Sequence, residues 1–243
     1  MRVLLTLSYD GTDFCGYQVQ PNGRSVEQVL NDAIFALTGE RVKSVSSGRT
    51  DSGVHAYAQT VHFDTNSTIP AKNFALALNP LLPSDVKVLK SKKVSGDFHA
   101  RYGAKSKTYR YSFYVSQTEN PMFSRYKSLI KQMPNVEKMK ECCKVIEGTH
   151  DFKCFMASGS SVKDTTRTVY SVKITKRGSF LDITVKGNGF LYNMVRIIAG
   201  TLLAVGENKL LSGDVARMIE TGDRPVQAKT AEARGLALIE VKY

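Results

Sequence analysis

The chain has 243 residues, enough for one large domain or two small ones with a substantial apolar core. Its 34 Lys and Arg residues outnumber its 22 Asp and Glu residues, which gives a formal net charge of +12 and a pI near 9.5. This excess of cations favours a polyanionic partner, and nucleic acid is the first candidate. No apolar run approaches a membrane span and the first residues lack a signal-peptide core, so we expect a cytoplasmic protein with no membrane partner.

The cysteines and histidines do not form a metal-binding pattern. There is no Cys-x-x-Cys pair, and the histidines lack the spacing of metal ligands. We therefore predict reduced, packed thiols, no disulfide framework and no metal. The residues concerned are Cys15, Cys142, Cys143, Cys154, His55, His62, His99 and His150.

Strands and helices follow one another in the first part of the chain. Ser25 is a predicted helix N-cap, helical apolar spacing follows it, and Gly39 is the predicted stop. Pro70 is expected to begin a second helix. The first predicted strand begins at Val3 and ends at Asp10-Gly11. The other predicted strands cover residues 42–47, 54–63 and 86–94, and the predicted helices cover residues 26–37 and 70–78.

The segment of residues 9–22 is polar and rich in glycine, with aromatic and amide side chains interleaved. These include Phe14, Tyr17, Gln18 and Gln20. Such side chains suit stacking on bases and hydrogen bonding to them. The alternative is a loop whose aromatic rings pack onto the core, and the pattern alone leaves both open.

A glycine-flanked loop, Gly48-Arg49-Thr50-Asp51-Ser52-Gly53, lies between two predicted strands. Its glycines permit turn geometry, and the flanking strands would hold the Asp51 carboxylate at the lip of a sheet. Arg49 is near enough in sequence for a charge-assisted hydrogen bond that keeps Asp51 ionised and oriented. A carboxylate held in this way suits a nucleophile. The alternative is an ordinary turn with a local Arg–Asp brace.

Residues 98–113 combine basic and aromatic side chains. The members of interest are Arg101, Lys107, Tyr109 and Arg110. Cations can contact phosphates while tyrosine rings stack on bases, as expected of an RNA-binding surface. The alternative is an edge strand with a solvated, charged face.

The second part of the chain repeats the alternation of strands and helices. A Gly-x-Gly turn at Gly187 and Gly189 resembles the start of a dinucleotide-binding motif, but Tyr192 stands where the third glycine belongs. We therefore expect no nucleotide cofactor. The predicted helices begin at Asn135, Phe190 and Ser212 and end at Glu147, Val205 and Ile219, and the predicted strands cover residues 168–175, 180–186 and 235–241.

This order of elements predicts an α+β fold of two similar halves, each with a mostly antiparallel sheet flanked by helices. We expect one half at residues 1–104, which carry the Asp51 loop, and the other at residues 105–243. Because ligands usually bind in a cleft between such halves, Asp51 and Tyr109 are expected to face one another across it.

Five landmarks occur in order along the chain. They are Tyr9-Asp10-Gly11-Thr12-Asp13-Phe14 with Gly16 and Gln18, Gly48-Arg49-Thr50-Asp51-Ser52-Gly53-Val54-His55-Ala56, Phe98-His99-Ala100-Arg101 with Lys107-Thr108-Tyr109-Arg110-Tyr111, His150-Asp151-Phe152, and Gly187-Asn188-Gly189-Phe190 with Met194-Val195-Arg196. Together they resemble the tRNA pseudouridine synthase A (TruA) family over nearly the whole length. The chain departs from that pattern at Tyr17, where the family often has Trp, and at Val19, where a basic residue is frequent.

The resemblance implies a pseudouridine synthase fold and a cofactor-free homodimer that isomerises uridine to pseudouridine. The expected substrate is the anticodon stem-loop of tRNA, at tRNA positions 38, 39 and/or 40. The family's nucleophile maps onto Asp51, its motif arginine onto Arg49 and its base-contacting tyrosine onto Tyr109. The further substrate-binding residues expected are Arg101, Lys107, Arg110 and Arg196.

Two other functions remain as alternatives at this stage. A non-catalytic RNA-binding module would use the same basic and aromatic surface. A nucleic-acid glycosidase would use Asp51, although hydrolysis commonly needs a second carboxyl group and the loop supplies none.

Overall fold

The structure, a computed structural model, describes residues 1–21, 23–160 and 162–243. The chain divides into a first unit, Met1–Lys105 with Ala237–Tyr243, and a second unit, Ser106–Leu236. In chain order the elements are β1 (Arg2–Tyr9), α1 (Val26–Thr38), β2 (Val45–Ser46), β3 (His55–Asp64), α2 (Phe74–Leu78), β4 (Val86–Val94), β5 (Ser106–Val115), α3 (Pro121–Ser124), β6 (Ser128–Ile130), α4 (Val136–Ile146), β7 (Gly148–Asp151), β8 (Thr166–Arg177), β9 (Phe180–Gly187), α5 (Met194–Gly206), α6 (Ser212–Thr221) and β10 (Leu236–Lys242). Single 3₁₀ turns occupy Ala71–Asn73, Lys153–Phe155 and Ala233–Gly235.

The first unit is built on a sheet in which β1 lies between β3 and β4. Both neighbours run antiparallel to β1, β2 adds a short antiparallel pairing to β3, and β10 pairs with β3 in parallel. Along β1, Val3, Leu5 and Leu7 are fully buried, as period-two alternation requires of one face of a strand. The predicted strand is therefore confirmed, and it carries the core of this unit.

Helix α1 begins and ends where its local signals place it. The Ser25 hydroxyl accepts a hydrogen bond from the Gln28 amide at 3.3 Å. At the other end Gly39 takes a left-handed conformation with φ 73°, and its amide bonds to the Phe35 carbonyl. Both cap predictions are confirmed, because a side-chain cap and a left-handed glycine act within one helical turn.

The second unit is built on an antiparallel sheet with helices against it. Strand β9 pairs with β5 on one side and β8 on the other, β7 extends the sheet beyond β8, and β6 runs parallel to β5. Helix α4 packs against α5, α6 and β8. Mostly antiparallel strands with helices are thus present in each unit, which confirms the predicted α+β class.

Several boundaries differ from the sequence prediction. Helix α5 begins at Met194 instead of Phe190, because Asn193 has φ 59° and the chain turns before the helix starts. Helix α6 begins at Ser212, but the cap is Leu211, whose amide donates to the Asp214 carboxylate at 2.8 Å. The run predicted as a strand over residues 42–47 pairs only as β2, and α3, β6 and β7 have no counterpart in the prediction.

No helix within the described ranges combines the length and the apolar character needed to span a bilayer.

Candidate active site

The Asp51 loop, residues 47–54, connects β2 to β3. The Val54 amide donates to the Asp51 carbonyl at 3.1 Å, and Gly53 has φ 76°, a left-handed conformation that glycine adopts at little cost. The Gly53 amide also donates to the Phe14 carbonyl at 3.4 Å. The loop therefore closes as a tight turn, tied to the segment that follows β1, with the Asp51 side chain half-buried.

Thr50, the residue before Asp51, is held on both its backbone and its side chain. Its carbonyl accepts from the Tyr17 amide at 3.0 Å, and its hydroxyl lies 2.8 Å from the Tyr9 hydroxyl. Burial raises the pKa of Tyr9 to about 12, although hydrogen bonding by Thr50 and Gln59 opposes the shift. Gly16 has φ 117°, and a Cβ there would lie 2.8 Å from the Thr50 carbonyl oxygen. Only a glycine lets the backbone approach the loop so closely.

The aromatic rings of residues 9–22 pack inward. Phe14 and Tyr17 are each 2% exposed, whereas Gln18 and Gln20 are exposed. The structure thus favours the core-packing alternative for these two rings over base stacking. Residue 22, the end of the predicted segment, lies outside the described residues.

Gln59 joins the two strands that flank the loop, and no sequence motif points to its role. The side chain is fully buried. Its amide oxygen accepts from the Ser47 hydroxyl at 2.6 Å, and its amide nitrogen donates to the Gly48 carbonyl at 2.7 Å. A signal was available in the sequence, because Gln59 alternates with Val61 and is therefore a polar residue on an inward strand position.

The brace between Arg49 and Asp51 stays a prediction. Arg49 is exposed and Asp51 is half-buried. The hydrogen bonds to Thr50 hold the backbone between the two residues.

The Arg101 turn, residues 98–103, presents a cation and an aromatic ring from an anchored backbone. The Ala100 amide donates to His62 Nδ1 at 3.1 Å, and the Ala100 carbonyl accepts from the Tyr243 hydroxyl at 2.9 Å. Arg101 and Tyr102 are exposed, with the guanidinium carbon 5.9 Å from the Tyr102 ring centroid. The first unit thus displays a cation and a stacking surface side by side, as contact with a polyanion requires.

The sequence matches a known family over most of its length. A profile described as "tRNA pseudouridine synthase" matches residues 6–103 and 142–243. A protein named tRNA pseudouridine synthase A from Bacillus licheniformis is 46% identical over all of this chain and 99% of that protein. Proteins of the same name from Thermoanaerobacter sp. and Ruminiclostridium cellulolyticum are 44% and 42% identical, again over all of this chain and 99% of each relative.

The chain belongs to the tRNA pseudouridine synthase family. The predicted family and its enzyme class, isomerase, are therefore confirmed. Among solved structures, a chain of a Cbf5-Nop10-Gar1 complex aligns with a TM-score of 0.36 at 13% identity, covering 82% of this chain and 54% of that chain. At that TM-score the likeness adds nothing to the assignment.

The tyrosine predicted to contact the target base, Tyr109, lies on β5 of the second unit. Tyr109 is 8% exposed, and its ring meets the Phe190 ring edge to face with centroids 5.3 Å apart. Lys107 and Tyr109 are two residues apart on the strand and share a face, whereas Arg110 lies on the opposite face. These three predicted substrate contacts of a pseudouridine synthase are therefore not all on one surface of the strand.

Arg196, the remaining predicted contact, lies in the first turn of α5. Its Nε donates to the Ala231 carbonyl at 2.7 Å, and Nη1 donates to the Asn193 side-chain oxygen at 2.7 Å. The left-handed Asn193 thus helps to orient the guanidinium as well as to start the helix. The side chain is half-buried, so its direction is well defined.

The cysteines are free thiols, and three of them are buried. Burial raises the pKa of Cys142 and Cys154 to about 11 and that of Cys143 to about 12, so these thiols are protonated and unreactive at neutral pH. Among the residues that the structure describes, no three His, Cys, Asp or Glu side chains are grouped so as to hold a metal ion.

Proposed function

We propose that this chain isomerises uridine to pseudouridine in the anticodon stem-loop of tRNA, using Asp51 as the nucleophile and needing no cofactor or metal. The observation that carries the proposal is that full-length relatives at 42–46% identity share the family while Asp51 stands in a loop held by buried hydrogen bonds. A half-buried carboxylate on a fixed loop is suited to attack on carbon.

The reaction balances without an external oxidant or reductant. The Asp51 carboxylate attacks either the ribose C1′ or the pyrimidine C6, and the N1–C1′ bond breaks. The uracil then rotates, a C5–C1′ bond forms, and the bond from Asp51 to C1′ or C6 breaks, which regenerates the free carboxylate. The proton on C5 is lost and N1 takes up a proton. The target base must first leave its stack at a cost of a few kcal/mol, which contacts in the active site would offset.

The other predicted site residues are proposed to contact the tRNA substrate. We assign Tyr109 to contact with the target base and Arg49 to the substrate backbone beside the nucleophile. Arg49 is exposed, which suits a cation that meets a phosphate. The other substrate-binding residues in the proposal are Arg101, Lys107, Arg110 and Arg196.

We propose further that the enzyme works as a homodimer in the cytoplasm. The dimer follows from the family resemblance alone, and size measurement in solution tests it. Free cysteines, three of them buried, are in keeping with a reducing compartment.

The test is to map pseudouridine in an unmodified tRNA transcript after incubation with the protein. We expect pseudouridine in the anticodon stem-loop with the native chain and none with Asp51→Ala. The matched control is Asp32→Ala, which removes an exposed carboxylate on α1 and should leave modification unchanged. An RNA-binding module would leave every uridine unchanged, and a glycosidase would leave abasic sites; either result would overturn the proposal.

A further inference from the structure

Gln59 is the fully buried polar side chain nearest in the sheet to the Asp51 loop. It pairs with Leu7 across the β1–β3 ladder, and Val61, the next residue on its face, is also fully buried. A polar amide on the core face of a sheet is destabilising unless its donor and acceptor are satisfied. Core packing alone would therefore favour an apolar residue at position 59.

The hydrogen-bond partners fix the orientation of the Gln59 amide. The Thr60 backbone amide donates to its oxygen at 3.2 Å, and the Gly48 carbonyl accepts from its nitrogen at 2.7 Å. A backbone N–H only donates and a carbonyl only accepts, so the oxygen and nitrogen cannot be exchanged. The Ser47 hydroxyl, 2.6 Å from the oxygen, must then be a donor.

The side chain continues the strand ladder where the backbone pairing stops. Strand β2 pairs with β3 through Val45 and Ser46, and the Ser47 amide still donates to the Thr60 carbonyl at 2.8 Å. Beyond that point the Gln59 side chain bonds to residue 47 and to the carbonyl of residue 48. The chain thus enters the Asp51 loop from a fixed position, although the backbone ladder has ended.

We propose that Gln59 is a positioning residue for the Asp51 nucleophile. Its amide fixes Ser47 and Gly48 at the entry of the loop, while the Tyr9 hydroxyl and the Tyr17 amide hold Thr50. The hydrogen bonds from Gln59 to Ser47 and Gly48 are called the clamp below. The inference rests on the proposed function, since it relates the clamp to the reaction at Asp51. Gln59 does not act on the substrate itself.

The central variant is Gln59→Glu, which keeps the shape and the acceptor but replaces the donor to Gly48 with a second oxygen. We expect kcat for pseudouridine formation to fall at least about tenfold, with tRNA Kd within about threefold of the native value, because misplacement of a reacting group by about 1 Å can cost about 100-fold in rate. Gln28→Glu, an exposed change on α1, is the charge control and should leave both values unchanged.

A second variant keeps the inference testable if Gln59→Glu fails to fold. Ser47→Ala removes one donor to the amide but leaves the bond to Gly48, so we expect a folded protein with a smaller fall in kcat and unchanged tRNA affinity. An unchanged kcat in a folded Gln59→Glu protein, or a loss of tRNA affinity with kcat preserved, would overturn the inference.

Hydrogen exchange separates this inference from the proposed function. The amides of Tyr17 and Val54 donate to the carbonyls of Thr50 and Asp51, so they should exchange faster in Gln59→Glu, whereas the Gly39 amide at the end of α1 should not change. Unchanged exchange at Tyr17 and Val54 would refute the clamp. Absence of pseudouridine with the native chain would instead refute the proposed function, and the exchange measurement would still decide the clamp.

Discussion

The Asp51 loop and the Arg101 turn lie in the same unit but are held in different ways. In the loop, the hydroxyl of Thr50 and the carbonyls of Gly48 and Thr50 are all bonded by groups from other segments. In the turn, groups from other segments bond to the backbone of Ala100, and the neighbouring Tyr102 is 80% exposed. A carboxylate that must attack one atom needs a fixed position, whereas a cation that contacts a phosphate needs only an anchored backbone. Substitutions in the loop should therefore lower kcat, and substitutions in the turn should lower tRNA affinity.

Among substitutions around the loop, the largest effect is expected where the backbone of residues 9–17 touches it. Gly16→Ala adds a Cβ only 2.8 Å from the Thr50 carbonyl oxygen at φ 117°. We expect a stability loss of roughly 1–3 kcal/mol from backbone strain and a fall in kcat of about 100-fold from displacement of the loop. Denaturant unfolding and steady-state kinetics on tRNA measure the two effects.

The control for Gly16 is Gly178→Ala. Gly178 also has positive φ, 58°, but a Cβ there would meet nothing within 4 Å. It should lose stability without losing kcat. If Gly16→Ala keeps native kcat, the loop does not depend on the close approach and the comparison fails.

A smaller loss is expected at Tyr9. Tyr9→Phe deletes the hydroxyl that lies 2.8 Å from the Thr50 hydroxyl and leaves the latter without this buried partner. We expect unfolding free energy to fall by about 1–3 kcal/mol and kcat to fall about tenfold, with tRNA affinity preserved. Tyr170→Phe, on a half-exposed ring, is the control. If Tyr9→Phe reduced tRNA affinity and kept native kcat, the loop would act in binding instead of in the reaction, contrary to this account.

A substitution in the Arg101 turn should change tRNA affinity and leave kcat unchanged, the reverse of the loop variants. Arg101→Ala removes an exposed guanidinium, so we expect tRNA Kd to rise about fivefold and kcat at saturating tRNA to stay native. The slope of log affinity against log salt concentration should fall by about one. Arg101→Lys should restore most of the affinity. A fall in kcat at saturation would show that the turn acts on the reaction itself.

The smallest expected effect is a dependence of the unfolding free energy on pH, caused by protonation of His62. Burial, then the charges of Arg2 and His99, lowers the pKa of His62 below 6.5, and its neutral Nδ1 accepts from the Ala100 amide. The unfolded chain therefore binds more protons as pH falls below about 6.5, and unfolding free energy decreases by at most about 1.4 kcal/mol per pH unit. The stability is present above that pH and is lost on acidification.

His62→Gln isolates this contribution. The glutamine oxygen can accept from Ala100 but does not titrate in this range, so its stability curve between pH 5 and 7 should be flatter than the native curve. Exchange of the Ala100 amide should rise on acidification in the native chain, and exchange of the Tyr17 amide should not. Equal slopes for the native chain and the variant would remove His62 as the cause.

Local signals predicted part of the fold correctly. Helix α1 was predictable because Ser25 and Gly39 act within a turn of the helix. The predicted strand over residues 86–94 matches β4. The start of α5 was not, because the chain turns at the left-handed Asn193, whose side chain bonds to Arg196.

The candidate site shows the same limit. Asp51 could be singled out as a candidate because its loop has a recognisable composition and matches a family motif. The pairing of Arg49 with Asp51 stays a prediction, since spacing in the sequence does not fix the direction of a side chain. The strand alternation marks Gln59 as a polar residue at an inward position, but its partners, Ser47 and Gly48, lie in the loop after β2 and are identified only by the structure.

The role of Asp51 as nucleophile is tested directly by a single-turnover experiment with saturating tRNA and Asp51→Asn, which removes the charge but keeps the shape of the side chain. We predict that the rate of pseudouridine formation falls by roughly 10⁴-fold or more while tRNA Kd stays within about threefold of the native value. A rate within tenfold of the native chain would contradict the role of Asp51 as nucleophile.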